Sequence, residues 1–86
     1  MKQLKKDLQK GIKEIRTQFG LNSDQLRVSF TEKQQAKGEF TISTCEKVLN
    51  NHGEAIITFC EKYGSLVATE DGGTFAWSRR LRFKLK

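Results

Sequence analysis

The hydrophobic positions near the N-terminus recur at the spacing of an α-helix. Successive members lie four, four, three and four residues apart: Leu4, Leu8, Ile12, Ile15 and Phe19. At about 100° per residue these positions fall within an arc of about 80°, which is typical of an amphipathic helix. We therefore predict a helix from Lys2 to Phe19 that ends at Gly20 and Asn22. Within it, Gly11 is expected to mark a close approach to a neighbouring element.

From Gln25 the hydrophobic period changes to two residues. The apolar positions are Leu26, Val28 and Phe30, followed by Phe40, Ile42 and Thr44. Polar residues 33–38 separate the two runs, and we interpret them as a turn. The pattern predicts an antiparallel hairpin with one apolar face and one polar face, and the polar face is free to meet solvent or a ligand.

A second helical period runs through the middle of the chain. Its members are Val48, His52, Ala55, Ile56, Phe59 and Tyr63. Gly64 follows as the expected C-terminal stop. Asn51 and Glu54 also match an N-cap with a capping-box acid, which would start the helix only after Asn51. Two alternatives stay open: one helix over residues 46–63, strained at Gly53, or a turn followed by a shorter helix.

The C-terminal region predicts a second hairpin. Residues 65–70 have strand composition, and Asp71-Gly72-Gly73 is typical of a tight reversal. The apolar positions of the next strand are Phe75, Trp77, Leu81, Phe83 and Leu85. The positions between them include Ala76, Ser78, Arg80, Arg82, Lys84 and Lys86. We expect Trp77 to pack in the core rather than to stack on nucleic-acid bases, because a short chain has little apolar area to spare.

Each predicted element has a single apolar face, which has to be buried against another element. The sequence therefore predicts an α+β fold in which residues 1–86 form one small, basic, two-layer domain. The expected order is helix, hairpin, helix, hairpin (αββαββ). About four strands form a mainly antiparallel sheet, with both helices on one face.

Composition and the N-terminal residues bear on the cellular localisation of the protein. Hydrophobic residues make up 36% of the sequence, as in ordinary globular proteins. No apolar run approaches the roughly 18 to 20 residues of a membrane-spanning helix, and the first residues do not resemble a signal peptide. We therefore expect a cytoplasmic protein without a membrane partner.

The residues with reactive side chains form no convincing catalytic or metal-binding pattern. Cys45 and Cys60 lie fifteen positions apart, and we expect reduced thiols, with a disulfide as the alternative. A zinc site that includes His52 is a weak alternative, because zinc ligands usually come at close pairwise spacing. On a helix His52 and Cys60 would be about 12 Å apart, too far for a nucleophile and its base. We predict no catalytic residue, no metal, no cofactor and no enzymatic activity.

Charge is unevenly distributed along the chain, whose net charge is +6. Residues 1–20 carry a net charge of +4, residues 21–73 carry −3 and residues 74–86 carry +5. Basic ends around an acidic middle favour a polyanion as partner, provided that the ends meet on one surface. The alternative is that lysine-rich termini only increase solubility.

The basic positions give the predicted nucleic-acid contacts. On the C-terminal strand, side chains two residues apart are separated by about 6.6 Å, comparable to the phosphate spacing of an extended nucleic-acid strand. The predicted contact residues are Arg80, Arg82, Lys84, Lys86, Arg27, Lys2, Lys6 and Lys13. An alternative explanation is that the last strand lies at a sheet edge and carries charges that prevent aggregation.

Two functions follow from these observations. The first is a non-enzymatic nucleic-acid-binding protein, for DNA or RNA, that grips the phosphate backbone with the C-terminal strand and the N-terminal helix. The second is a protein-interaction module or inhibitor, of viral or mobile-element type, that docks on an acidic protein partner. A homodimer is a further expectation, because an uncovered face or edge of the sheet can bind a second copy of the chain.

Overall fold

The computed structural model of this protein describes residues 2–71 and 78–86. In chain order the elements are α1 (Lys2–Phe19), β1 (Leu26–Ser29), α2 (Glu32–Lys37), β2 (Glu39–Thr44), α3 (Glu46–Cys60), β3 (Gly64–Asp71) and β4 (Arg79–Leu85). The strands form a four-stranded antiparallel sheet, so the predicted α+β class is confirmed. The predicted reversal at Gly72-Gly73 and the residues from Phe75 to Trp77 lie outside the described residues, as does the expected core position of Trp77.

The strand order in the sheet is β1-β2-β4-β3. The two hairpin pairings that the sequence predicts are present, since β1 pairs with β2 and β3 pairs with β4. The C-terminal strand β4 also pairs with β2, so it lies inside the sheet. Because β2 and β3 are both antiparallel to β4, they run parallel to each other, with α3 connecting them and β4 inserted between them.

The expected order αββαββ is wrong at one position, because the connection between β1 and β2 contains α2. Thr31 caps this helix: its hydroxyl accepts a hydrogen bond from the backbone N–H of Gln34, and the Gln34 side chain accepts one from the Thr31 N–H. Gly38 ends the helix in the left-handed conformation, with φ of 71°. A polar segment without hydrophobic periodicity is thus helical because both of its ends are capped.

α3 settles the alternatives for the second helix. It begins at Glu46, so the shorter helix starting after Asn51 is wrong, and it continues through Gly53 without a left-handed residue. It ends at Cys60, so the expected stop at Gly64 is also wrong. Gly64 instead opens β3, where an added Cβ would lie 2.5 Å from the carbonyl oxygen of Lys84. Glycine is needed there for the close approach of two backbones.

One hydrophobic cluster joins α1, α3 and the sheet. Its fully buried members include Leu8 and Ile12 of α1, Ile56 of α3, and Phe40 and Phe83 of the sheet. The rings of the two phenylalanines stack with their centroids 5.0 Å apart. The prediction of α1 is confirmed with its boundaries, and its hydrophobic stripe supplies this core.

The predicted close approach at Gly11 is also confirmed. A Cβ at this position would overlap ring atoms of Phe59 on α3. The missing side chain therefore lets the Phe59 ring lie directly on the backbone of α1, which holds the two helices together.

Candidate nucleic-acid interface

β4 presents alternate side chains to opposite faces of the sheet. Leu81 and Phe83 are buried in the core, whereas Arg80, Arg82 and Lys84 are exposed on the other face, which we call the open face. Successive cations lie about 6.8 Å apart along an antiparallel strand. The alternation that the sequence predicted for residues 80–85 therefore places basic side chains in one line.

The register of the strands determines the neighbours of these cations. Across β1, β2, β4 and β3, the first row of the open face is Arg27, Ser43, Arg80 and Glu70, and the second is Ser29, Thr41, Arg82 and Ala68. The third row holds Glu39, Lys84 and Ser65. Because β2 separates β1 from β4, the backbones of Arg27 and Arg80 are about 10 Å apart. Arg27 shares the row of Arg80 but is not its immediate neighbour.

Carboxylates offset part of the positive charge on the open face. Glu70 lies in its first row and Glu39 in its third row. A 3.7 Å ion pair joins Arg82 Nη1 to Glu70 Oε1, and both side chains are almost half exposed, so solvent screens the pair strongly. Within residues 2–71 and 78–86, the side chains of Arg80 and Lys84 form no ion pair. These two cations are the ones best placed to receive an anion.

Arg79 breaks the alternation of β4 and has a structural role. It stands on the core side of the sheet, where Nη1 lies 2.6 Å from Asp71 Oδ1 on β3. Its Nη2 lies 3.7 Å from Glu46 Oε1 at the start of α3. Arg79 thus links β4 to two neighbouring elements and is not one of the open-face cations.

The position of β4 inside the sheet argues against the alternative explanation that its charges prevent aggregation at a sheet edge. Edge strands carry Lys or Arg to prevent pairing with other chains. β4 is hydrogen-bonded on both sides, to β2 and to β3, and the edges of the sheet are β1 and β3. Edge protection therefore does not account for three exposed cations in this strand.

The remaining predicted contacts lie elsewhere. Lys6 and Lys13 are exposed on α1, whose buried side packs in the core against the opposite face of the sheet from Arg80. Lys86 is exposed directly beyond the end of β4. Lys2 begins α1. The structure does not bring the α1 lysines into the row of β4 cations, because the core and the sheet separate them.

A small polar pocket opens on the open face beside Arg80. It has a volume of about 200 Å³ and is lined by Ser29, Gln34, Thr41, Ser43 and Arg80. Of these residues, only Arg80 was predicted from the sequence as a contact residue. The Thr31-x-x-Gln34 spacing could have revealed α2, and with it the position of the Gln34 side chain over the sheet.

The groove between α1 and α3 is larger, with a volume of about 690 Å³. His52 lines it and stacks on Phe19, with ring centroids 4.1 Å apart, so this histidine packs against an aromatic ring. Cys45 and Cys60 are free thiols, and burial raises the pKa of Cys60 to about 12. A thiol with that pKa stays protonated near neutral pH and is a poor nucleophile.

In the part of the chain that the structure describes, no three His, Cys, Asp or Glu side chains come together in a metal-binding cluster. No helix among the described residues has the length and apolar character that crossing a membrane requires. Comparisons with protein-family models, with curated proteins and with solved structures found no match.

Proposed function

We propose that this chain is a small, non-enzymatic nucleic-acid-binding domain whose open face contacts a phosphate backbone. In this proposal α1 and α3 form the second layer of a two-layer domain. The open face, on which the β4 cations remain exposed beside α2, meets the ligand. The observation that carries the proposal is the placement of Arg80, Arg82 and Lys84 as exposed cations on an inner strand. Of these three cations, only Arg82 forms an ion pair within the described residues, and that pair with Glu70 is exposed to solvent.

The chemistry of the open face favours phosphates over bases. Its described rows contain hydroxyls, carboxylates, a methyl group and basic side chains, and no aromatic ring on which a base would stack. Phosphate contacts position a nucleic acid, whereas contacts to base edges discriminate between sequences. We therefore expect binding with little sequence preference.

The expected salt dependence follows from the number of cations. If Arg27, Arg80, Arg82 and Lys84 each neutralise one phosphate, the slope of log K against log salt is about −2.8 for single strands and about −3.6 for duplex DNA. Raising the salt concentration from about 50 to 200 mM then weakens binding by about 50-fold to 150-fold.

The test is fluorescence anisotropy of labelled single- and double-stranded DNA and RNA over this salt range. In the triple variant Arg80→Ala, Arg82→Ala, Lys84→Ala, one contact remains, and the slope should flatten to about −0.7 for single strands and about −0.9 for duplex DNA. The matched control is Lys6→Ala, Lys10→Ala, Lys13→Ala, which removes the same charge from exposed positions of α1. The control also tests the predicted contacts at Lys6 and Lys13.

The two triple variants separate the interpretations. A loss confined to the β4 variant supports the open face as the interface. Equal losses in both variants would mean that binding follows net charge and is not localised. Absence of binding by the unmodified protein at about 50 mM salt would contradict the proposed function.

For the second function, docking on a protein partner, the edge strand β3 offers an apolar surface, although its residues do not favour an acidic partner. Leu66 and Val67, which are 37% and 50% exposed, are the exposed large hydrophobic residues among those described, and both lie on β3. An edge strand with apolar side chains can pair with a strand of another protein or of a second copy of this chain. A protein complex of this kind would survive nuclease treatment and would be lost in Val67→Lys.

A further inference from the structure

In the polar pocket beside Arg80, the hydrogen bonds of Gln34 determine which groups donate and which accept. The starting point is the backbone N–H of Thr31, which can only donate and lies 2.8 Å from Gln34 Oε1. This contact establishes which end of the Gln34 amide is oxygen. Ser29 Oγ, 3.0 Å from the same oxygen, must therefore be a donor to it.

The amide nitrogen of Gln34 determines whether the Thr41 hydroxyl donates or accepts. Gln34 Nε2 donates to Thr41 Oγ1 over 2.9 Å, so this hydroxyl acts as acceptor toward Gln34. The hydroxyl proton of Thr41 is consequently available to another group. Thr41 is only 7% exposed, and the hydrogen bond from Gln34 orients its hydroxyl.

Two more donors complete the pocket. The Ser43 hydroxyl makes no hydrogen bond to another residue in the described ranges, and the same holds for the Arg80 guanidinium. Among the described residues, no carboxylate lines the pocket. Thr41, Ser43 and Arg80 thus direct hydroxyl and guanidinium donors toward one small space, and this combination suits an anion with several acceptor oxygens.

From this geometry we infer that the pocket is a phosphate subsite, in which the Arg80 guanidinium and the Thr41 and Ser43 hydroxyls bind the oxygens of one phosphate group. The subsite rests on the proposed function, because it specifies where on the open face the first phosphate binds. Its volume of about 200 Å³ is below the range of pockets that enclose a whole small molecule, about 300 to 1,000 Å³. A single phosphate with some of its water is the occupant that fits this size.

The inference is tested by NMR titration of the isotope-labelled protein with inorganic phosphate and, separately, with a twelve-residue oligothymidine. In the unmodified protein both probes should shift the amide signals of Thr41, Ser43 and Arg80. Ser43→Ala should weaken phosphate binding at least about tenfold, which is the usual effect of deleting a hydrogen bond to a charged group. Ser65→Ala is the matched control, since it removes an exposed hydroxyl from the third row, outside the pocket.

Arg80→Gln provides a second variant that keeps a polar side chain at an exposed position. It should abolish the phosphate response of Ser43. Both substitutions affect side chains without a described hydrogen bond, so the fold should survive, and the amide spectrum of each variant checks this.

The two probes test the phosphate subsite and the proposed nucleic-acid function separately. If both probes bind and both are weakened in Ser43→Ala but not in Ser65→Ala, the subsite is supported. If the oligonucleotide binds equally to all variants, the protein binds nucleic acid without using this pocket, and the subsite is overturned. If phosphate binds in the pocket and the oligonucleotide does not bind, the subsite stands for free phosphate and the nucleic-acid function is overturned. If neither probe binds, both proposals are overturned.

Discussion

Replacement by alanine should change the free energy of unfolding in opposite directions at two helical glycines, Gly11 of α1 and Gly53 of α3. Replacing a helical glycine by alanine stabilises the protein by about 1 kcal/mol where there is room for the methyl group, because helix propensity rises and the unfolded chain loses freedom. Gly53 is buried, but an added Cβ would meet Leu49 Cδ2 at 3.6 Å, an ordinary van der Waals contact, so there is room for alanine. At Gly11 it would overlap the ring of Phe59.

The magnitude at Gly11 follows from this overlap. The ring also packs edge-on against Tyr63, with centroids 5.5 Å apart, so moving it disturbs a further contact. Overpacking typically costs about 1 to 3 kcal/mol, which exceeds the gain in helix propensity of about 1 kcal/mol. We expect Gly11→Ala to lower the free energy of unfolding by about 1 kcal/mol and Gly53→Ala to raise it by a similar amount.

Thermal and urea unfolding measure both effects. For a domain of this size, 1 kcal/mol corresponds to a Tm shift of about 4 to 8 °C, so the two variants should differ by about 8 to 16 °C. The Phe59→Ala background provides the control, because without the ring Gly11→Ala should become stabilising. The double-mutant cycle should then give a coupling energy of about 2 kcal/mol.

A Gly11→Ala protein as stable as the unmodified protein would refute the close packing of Phe59 on α1. If Gly11→Ala still destabilises the protein in the Phe59→Ala background, the added methyl group clashes with a residue other than Phe59. A loss of stability in Gly53→Ala would show that α3 does not continue regularly through that position.

Three further predictions concern single positions. Because burial raises the pKa of Cys60 from 9.0 to about 12, the unfolded chain ionises first. The stability that burial of the protonated thiol contributes is fully present below pH 9 and is lost as the pH rises from 9 toward 12. Urea unfolding of the unmodified protein and of Cys60→Ala should therefore converge with rising pH, and an unchanged difference would contradict the burial. Gly38→Ala should cost about 1 to 2 kcal/mol because φ is 71°, and Gly38→Asn should cost less in the same assay. Gln34→Ala should cost about 1 to 2 kcal/mol, since it removes the Gln34 side-chain half of the capping box and leaves Thr41 without its donor; an effect confined to a few tenths of a kcal/mol would argue against this network.

The parts of the fold that the sequence predicted are those with a clear hydrophobic period. α1 was predictable because its apolar residues follow the helical repeat, and the two strand pairs were predictable because alternation and turn residues specify neighbours in the chain. α2 was missed because residues 32–37 include no buried side chain and therefore show no period. Its capping box was readable at Thr31 and Gln34, whereas the similar pair Asn51 and Glu54 lies within α3 and starts no helix.

The candidate site was predictable only in part. The alternation in residues 80–84 was enough to place Arg80, Arg82 and Lys84 on one face, because side-chain direction in a strand is a local property. It could not reveal that Arg79 would stand on the core side and pair with Asp71 and Glu46, since both partners come from other elements. The hydroxyl pocket was equally invisible, because it draws its residues from β1, α2, β2 and β4.

By itself, the sequence determined which side of α1, α3, β1, β2 and most of β4 faces the core, since that depends on periods of 3.6 and two residues along a single element. The tertiary structure decided which elements became neighbours. β4 entered between β2 and β3 because its Leu81 and Phe83 pack against Ile42 and Phe40 across the register, a contact between residues about forty positions apart in the chain. That insertion turned a basic tail into an inner strand and separated it from the lysines of α1.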